Sequence, residues 1–146
     1  MASFKRILVP VDFSDASARA LNTALDLASD LKAEVKIIHI HQVQTQYMIE
    51  GGLYAPELDE DELMEKRKKE LANFVEGQKG DVSISQEVRA GIPETEILEI
   101  AGEFQADLII MGTHGRSGLS HLLMGSVTEN VLRHTDVPIL SVRQRD

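Results

Sequence analysis

The chain of 146 residues is long enough for one domain with a substantial core, and it needs no metal or disulfide to fold. Its composition, 42% apolar and 27% charged, excludes a disordered protein, and the absence of cysteine excludes disulfides, thiolate zinc sites and cysteine nucleophiles. The net charge of −9 argues against a nucleic-acid partner, but it leaves room for a small anionic ligand at a locally positive site.

No apolar run approaches the roughly 20 residues that a membrane span needs. The amino terminus enters a strand-like run rather than a signal peptide. We therefore expect a cytoplasmic protein with a single domain over residues 1–146.

Short apolar runs of strand type alternate with segments that repeat apolar residues at helical spacing. Strands separated by helices of this length pair in parallel through right-handed crossovers, and weakly alternating strands are typical of a sheet covered on both faces. The sequence predicts an α/β fold, a doubly wound five-stranded parallel sheet with helices on both faces. In chain order the predicted elements are a strand at 6–12, a helix at 13–32 with Ser14 as N-cap, a strand at 35–40, a loop at 42–56, a helix at 57–76, a strand at 82–88, a helix beginning at 93, a strand at 107–111, a glycine-rich stretch at 112–125, a helix at 126–135 and a strand at 138–142.

Sheets of this kind bind ligands beyond the carboxyl ends of their strands, where the strand order reverses. Asp12 ends the first predicted strand and Ile40 the second, and the glycine-rich stretch follows the fourth. A carboxylate at position 12 suits ribose hydroxyls or a Mg²⁺ ion on a phosphate, but an aspartate that only forms the turn before a helix is also common.

The glycine-rich stretch, with its flanks MGTHGRSGLSHLLMGSVTEN, carries the strongest signal. Glycines allow tight turns and close backbone approach to a ligand, and the following helix N-terminus offers free N–H groups to a phosphate. Ser126 and Glu129 form the S-x-x-E pattern of a capping box. The Ser126 hydroxyl can cap the helix or contact a phosphate, and the residues alone leave a phosphate site and an ordinary capped turn equally open. Neither a P-loop nor the G-x-G-x-x-G dinucleotide motif occurs.

The spacing G-x2-G-x9-G-[ST], formed by Gly112, Gly115, Gly125 and Ser126, resembles the nucleotide signature of the universal stress protein family. The resemblance includes KRILVPVDFS, the A-G-I-P turn at 90–93 and LLMGSVTENVLRHTDVPILSV, and it leaves out only about 42–80. It implies a Rossmann-like fold of the adenine nucleotide alpha hydrolase type and the ATP-binding branch of the family.

The resemblance also implies where ATP binds. Adenine lies against the ends of the first two strands, Asp12 holds the ribose, and the glycine-rich loop with the following helix holds phosphates bridged by Mg²⁺ or Mn²⁺. The implied role is an ATP-binding signalling or stress-response module; the alternatives are a slow Mg-dependent ATPase and a module that senses AMP or cyclic AMP. The nucleotide-binding residues so implied are Pro10, Val11, Asp12, Ile40, Met111, Gly112, Thr113, His114, Gly115, Arg116, Gly125, Ser126, Val127 and Thr128.

Three further expectations concern chemistry and assembly. No residue pattern supplies a clear catalytic base for hydrolysis, so we expect slow turnover at most. His39 and His41 share one strand face, but no third metal ligand stands near them, so we expect one packed and one loop histidine. The apolar last strand is predicted to be a sheet edge, and the family resemblance implies a homodimer through it.

Overall fold

The computed structural model describes residues 3–42, 59–78, 80–113 and 125–143, together with the backbone of 48–49 and 53–54. Strands and helices alternate along most of the described chain. Their bounds are β1 Arg6–Pro10, α1 Asp15–Leu31, β2 Glu34–His41, β3 Met48–Ile49, β4 Leu53–Tyr54, α2 Glu60–Glu76, β5 Ile84–Ala90, α3 Pro93–Phe104, β6 Leu108–Gly112, α4 Ser126–His134 and β7 Ile139–Val142.

Five strands form one parallel sheet in the order β5-β2-β1-β6-β7. Ile7 in the central strand β1 is in register with Val35 on one side and Leu108 on the other. The chain builds outward from β1 to β5 and then crosses back to β6. The strand order therefore reverses between β1 and β6, and the predicted five-stranded parallel sheet is confirmed.

Two apolar cores cover the two faces of the sheet. Ile7 and Val9 of β1 pack into the core beneath α1 and α2. Leu8, which points the other way, packs into the core beneath α3 and α4. Alternate residues of a strand face opposite sides, so both sides of this central strand must be apolar.

The structure differs from the sequence predictions in the middle of the chain. The segment predicted as a loop contains a two-stranded antiparallel pairing of β3 with β4. Strands of two residues are too short to show an alternating pattern. Helix α2 begins at Glu60 rather than at Glu57, because Asp59 is its N-cap and accepts the Asp61 N–H at 3.0 Å. Within the described residues, no helix combines the length and hydropathy needed to cross a bilayer.

Candidate functional site

The carboxyl ends of β1 and β6 meet at the first turn of α1. The Asp12 N–H, just beyond β1, donates to Ser17 Oγ at 3.3 Å. Gly112, the last residue of β6, lies so close to α1 that a Cβ on it would stand 2.9 Å from Ala16 Cβ and 3.0 Å from the Ala16 carbonyl carbon. Gly112 is therefore required for the packing of β6 on α1, which holds the two strand ends side by side.

Asp12 forms the turn that leads from β1 into α1. Its Oδ1 accepts the Ser14 N–H at 3.0 Å, which is the hydrogen bond of an Asx turn. The turn-forming role considered from the sequence is thus confirmed. Oδ2 of this half-buried side chain has no hydrogen-bond partner among the described residues, so one carboxylate oxygen beside the end of β1 is not used by the fold.

The N-terminus of α4 differs from the predicted capping box. Gly125 is the N-cap and, having no side chain, makes no side-chain capping bond. Ser126 is the first helical residue and is exposed. Glu129 Oε1 accepts from Arg133 Nη2 at 2.7 Å instead of reaching back to the cap. The capping-box prediction is wrong because the helix begins one residue earlier than that pattern requires: Ser126 is its first residue rather than its N-cap, and the Ser126 hydroxyl does not cap it.

Hydrogen bonds hold this helix start against the end of β6. The Thr113 carbonyl accepts the Gly125 N–H, and the Thr113 N–H donates to the Val142 carbonyl at 2.9 Å. Thr128 is 4% exposed, and its hydroxyl donates to the Gly112 carbonyl at 2.7 Å. Thr128 was a predicted phosphate donor, and the structure uses its hydroxyl hydrogen to fix the helix on the sheet.

The apolar residues implied for the nucleotide, with Pro10, Val11 and Ile40 beside the adenine and Met111 and Val127 nearer the phosphates, are largely core residues. Val11 is 5% exposed and belongs to the core beneath α1 and α2. Ile40 and Met111, 8% and 5% exposed, belong to the opposite core, and Val127 packs against it. Together with buried Pro10, these side chains offer a ligand narrow apolar edges rather than an open surface. The implied loop residues His114, Gly115 and Arg116 lie outside the described residues.

Both histidines of β2 are tied to other elements. His39 Nδ1 lies 2.9 Å from the Val11 carbonyl oxygen, which can only accept, so Nδ1 carries the proton. His41 is buried, and its Nε2 lies 3.4 Å from Glu60 Oε2 at the start of α2. The expected loop histidine is therefore the last residue of the strand instead. Among the described residues no cluster of three His, Asp or Glu side chains is arranged to hold a metal.

The sequence does not predict the contribution of one residue near the site. Phe13, between Asp12 and Ser14, has a left-handed backbone with φ of 69°. Its ring centroid lies 4.4 Å from that of His39 and 5.5 Å from that of Phe74. These partners are remote in sequence, so local patterns cannot reveal the contact.

The sequence and the fold of this chain are similar to those of known proteins. The profile of the universal stress protein family matches residues 3–143. Universal stress protein YxiE of Bacillus subtilis is 36% identical over 148 residues, which is 96% of this chain and 99% of YxiE. MJ0577 of Methanocaldococcus jannaschii is also a universal stress protein, and its solved structure, at 31% identity, covers 99% of each chain with a TM-score of 0.80. A universal stress protein solved in complex with cAMP shares the fold at 24% identity, with a TM-score of 0.68 and coverage of 97% of this chain and 98% of that one.

These matches extend over almost the entire chain, and two of the relatives exceed 30% identity. The family resemblance stated from the glycine spacing is confirmed. This chain belongs to the universal stress protein family.

Proposed function

We propose that this protein binds an adenine nucleotide, with ATP as the principal ligand, in the crevice between β1 and β6, and that it acts as a nucleotide-dependent stress-response module. The observation that carries the proposal is the N-terminus of α4. It has no side-chain cap, and two hydrogen bonds to the end of β6 fix it beside the strand-order reversal. An uncapped helix start at that position is a ready site for phosphate.

Each part of the nucleotide has a candidate partner. The N–H groups of Ser126, Val127 and Thr128, in the first turn of α4, face the phosphates together with the Ser126 hydroxyl. The Gly125 N–H is already donated to Thr113. Asp12 accepts from the ribose hydroxyls through the oxygen that its turn does not use. The apolar edges of Val11 and Ile40 border the base.

The phosphate end of the site is favoured electrostatically although the protein is acidic as a whole. The helix N-terminus carries a partial positive charge, and negative groups are stabilised within its first turn. His114, Gly115 and Arg116 complete the proposed phosphate loop. Because the described residues form no metal cluster of their own, a Mg²⁺ or Mn²⁺ ion is proposed only as a companion of the phosphates, where it would neutralise their charge.

Binding rather than rapid hydrolysis is the proposed activity. Hydrolysis needs a base that orients water. In the described part of the crevice Asp12 is committed to the turn through one oxygen, and Glu129 is paired with Arg133. We therefore expect turnover below about 1 per second, the low end for ordinary enzymes.

A smaller adenine nucleotide is the second candidate ligand. The structural relative in complex with cAMP shows that this fold accommodates an adenine mononucleotide in that protein. AMP and cyclic AMP share the base and ribose that the β1 end would hold. They differ from ATP in the number of phosphates available to α4.

The test begins with freshly purified protein. It is denatured, and any released nucleotide is identified by mass spectrometry. Calorimetry on nucleotide-free protein then compares ATP, AMP and cyclic AMP with and without Mg²⁺, with GTP as the control that keeps the phosphates and changes the base. We expect ATP to bind more tightly than GTP. Absence of binding by all three adenine nucleotides would reject the proposal, and tighter AMP or cyclic AMP binding would select the second candidate.

A further inference from the structure

The most unusual backbone in the described crevice belongs to Phe13. Its φ of 69° lies in the left-handed region, which L-residues other than glycine seldom adopt. The other described non-glycine residues with positive φ, Lys32 and Gln105, are helix C-caps, where this conformation is common. Phe13 caps no helix end, so the conformation must be imposed by something else.

The ring of Phe13 supplies that constraint. It packs on the His39 ring with an interplanar angle of 30° and meets Phe74 edge-on at 72°. His39 is itself held by the Val11 carbonyl at 2.9 Å. The ring is thus clamped between β2 and α2, while the chain on either side of it belongs to the turn that leaves β1.

The left-handed turn at Phe13 brings the Ser14 N–H back to Asp12 Oδ1. The Asp12 N–H is held by Ser17. The orientation of the Asp12 carboxylate therefore depends on a backbone conformation that the clamped ring maintains together with the hydrogen bonds of the turn. Strained conformations of this kind are typical of sites that must be held ready for a ligand.

We propose that Phe13 is a positioning residue for the nucleotide site: its ring, clamped by His39 and Phe74, holds the Asp12 carboxylate in the orientation that binds ligand, without touching the ligand itself. This inference rests on the proposed function. It adds a residue whose effect on affinity passes entirely through Asp12.

Substitutions at Phe13 test this role against mere packing. Phe13→Gly adopts the left-handed conformation without strain, but no side chain then holds the backbone in it. Phe13→Leu keeps the strain and loses the contacts with the two rings. Both are expected to weaken binding of ATP with Mg²⁺ by about tenfold. Phe74→Leu removes one support of the ring and is expected to weaken binding by about threefold.

The matched control is Phe104→Leu. Phe104 is also an aromatic core residue, but it packs beneath Arg6 at the amino end of the sheet. We expect this variant to lower the melting temperature as much as Phe13→Leu does and to bind ATP with wild-type affinity. A role confined to packing would instead leave ATP affinity unchanged in all four variants, and that result would overturn the inference.

A double variant tests the route through Asp12. Asp12→Asn retains an oxygen that accepts the Ser14 N–H but removes the charge, so adding Phe13→Gly to it should cost little further affinity. If the two losses multiply instead, Phe13 acts by another route and the inference is wrong. Wild-type protein that binds no adenine nucleotide would reject the proposed function and this inference together, whereas normal binding by Phe13→Gly would reject the inference alone.

Discussion

At the scale of single residues, Asp12 combines two roles that substitutions can separate. Oδ1 completes the turn before α1, and we propose that Oδ2 accepts from the ribose. Asp12→Ala removes both functions and is expected to weaken ATP binding by ~1–3 kcal/mol. Asp12→Asn keeps the turn bond and loses the charge, so it should weaken binding while retaining the wild-type melting temperature.

Calorimetry with ATP and Mg²⁺, alongside thermal unfolding without nucleotide, measures the two roles independently. Wild-type affinity in Asp12→Asn would show that the carboxylate charge makes no contact with the ligand. A melting temperature for Asp12→Ala equal to that of the wild type would show that the turn does not need Oδ1.

Individual residues also show which features the sequence can predict and which it cannot. The turn-forming role and the ligand-binding role of Asp12 were both expected from its position after a strand. The start of α4 at Ser126 was predicted, but its N-cap was not, because Gly125 and Ser126 are both acceptable N-cap residues and the S-x-x-E pattern favours Ser126. The conformation of Phe13 depends on contacts with the rings of His39 in β2 and Phe74 in α2. Contacts between residues so far apart in the chain cannot be predicted from the local sequence.

At the scale of elements, the packing of β6 on α1 depends on Gly112. A Cβ at this position would lie 2.9 Å from Ala16 Cβ and 3.0 Å from backbone. We expect Gly112→Ala to destabilise the protein by about 1–3 kcal/mol, since the strand or the helix must shift to admit it. The same shift would displace the strand end at the proposed site, so ATP affinity should fall as well.

Gly102 in α3 provides the control. A Cβ there meets nothing within 4 Å. Alanine favours a helix over glycine, so Gly102→Ala should stabilise the fold by up to about 1 kcal/mol and leave ATP affinity unchanged. Equilibrium unfolding in urea checks both variants. Equal stability changes for the two substitutions would contradict the close packing of Gly112.

Ion pairs around Arg89 join β5 to α3. The Arg89 guanidinium donates to both Glu103 carboxylate oxygens at 3.0 and 2.8 Å and to Glu87 at 2.9 Å. Its hydrogen bonds lower the pKa of Glu103. Partial burial acts to raise the pKa of Glu87, but hydrogen bonds from Lys36 and Arg89 outweigh it and bring the pKa below the ordinary value of 4.5.

Carboxylates with lowered pKa values stabilise the fold above their ordinary pKa, and this contribution is lost as the pH falls through the lowered value. Arg89→Met should therefore melt below the wild type at pH 7, with the difference shrinking below about pH 4. The effect is limited by solvent screening because Glu103 is half exposed. Arg133→Met, which breaks only an exposed pair within α4, should change the melting temperature much less. A difference independent of pH would contradict this electrostatic origin.

Elements were predictable where burial dictates the residues. The central strands β1 and β6 are buried apolar runs because helices cover both faces of the sheet, and the crossovers follow from the helices between the strands. The pairing of β3 with β4 was missed since it spans two residues on each side. The acidic residues before α2 likewise led to a predicted helix start at Glu57, three residues too early. The capping bond of Asp59 sets the observed start at Glu60.

At the scale of the whole molecule, the two edges of the sheet differ. The β5 edge carries Glu87 and Arg89, which are charged and engaged in ion pairs. The β7 edge exposes Leu140, which is 40% accessible, and Leu132 of the neighbouring α4 is 49% accessible. Charged edges resist strand addition and apolar edges invite it. That β7 lies at an edge is confirmed, and the homodimer through β7 stays a prediction.

The hydrogen bonds of β7 show how to test that dimer. The Pro138 and Val142 carbonyls accept from Ile109 and Thr113 of the β6 side at 3.0 and 2.9 Å. Alternate residues of a parallel strand bond to the same neighbour, so the backbone groups of Ile139 and Ser141 face the open edge. Ser141→Pro deletes an outward N–H and leaves the bonds to β6 in place.

We expect light scattering to show a dimer for the wild type and for Ser141→Ala at micromolar concentration, and a monomer for Ser141→Pro. Far-ultraviolet circular dichroism should be the same for all three, because the sheet within each subunit keeps its hydrogen bonds. A two-fold symmetric pairing makes each lost N–H count twice, once in each subunit, which favours full dissociation over partial weakening. A monomeric wild type would reject the dimer, and a dimeric Ser141→Pro would place its interface away from the β7 edge.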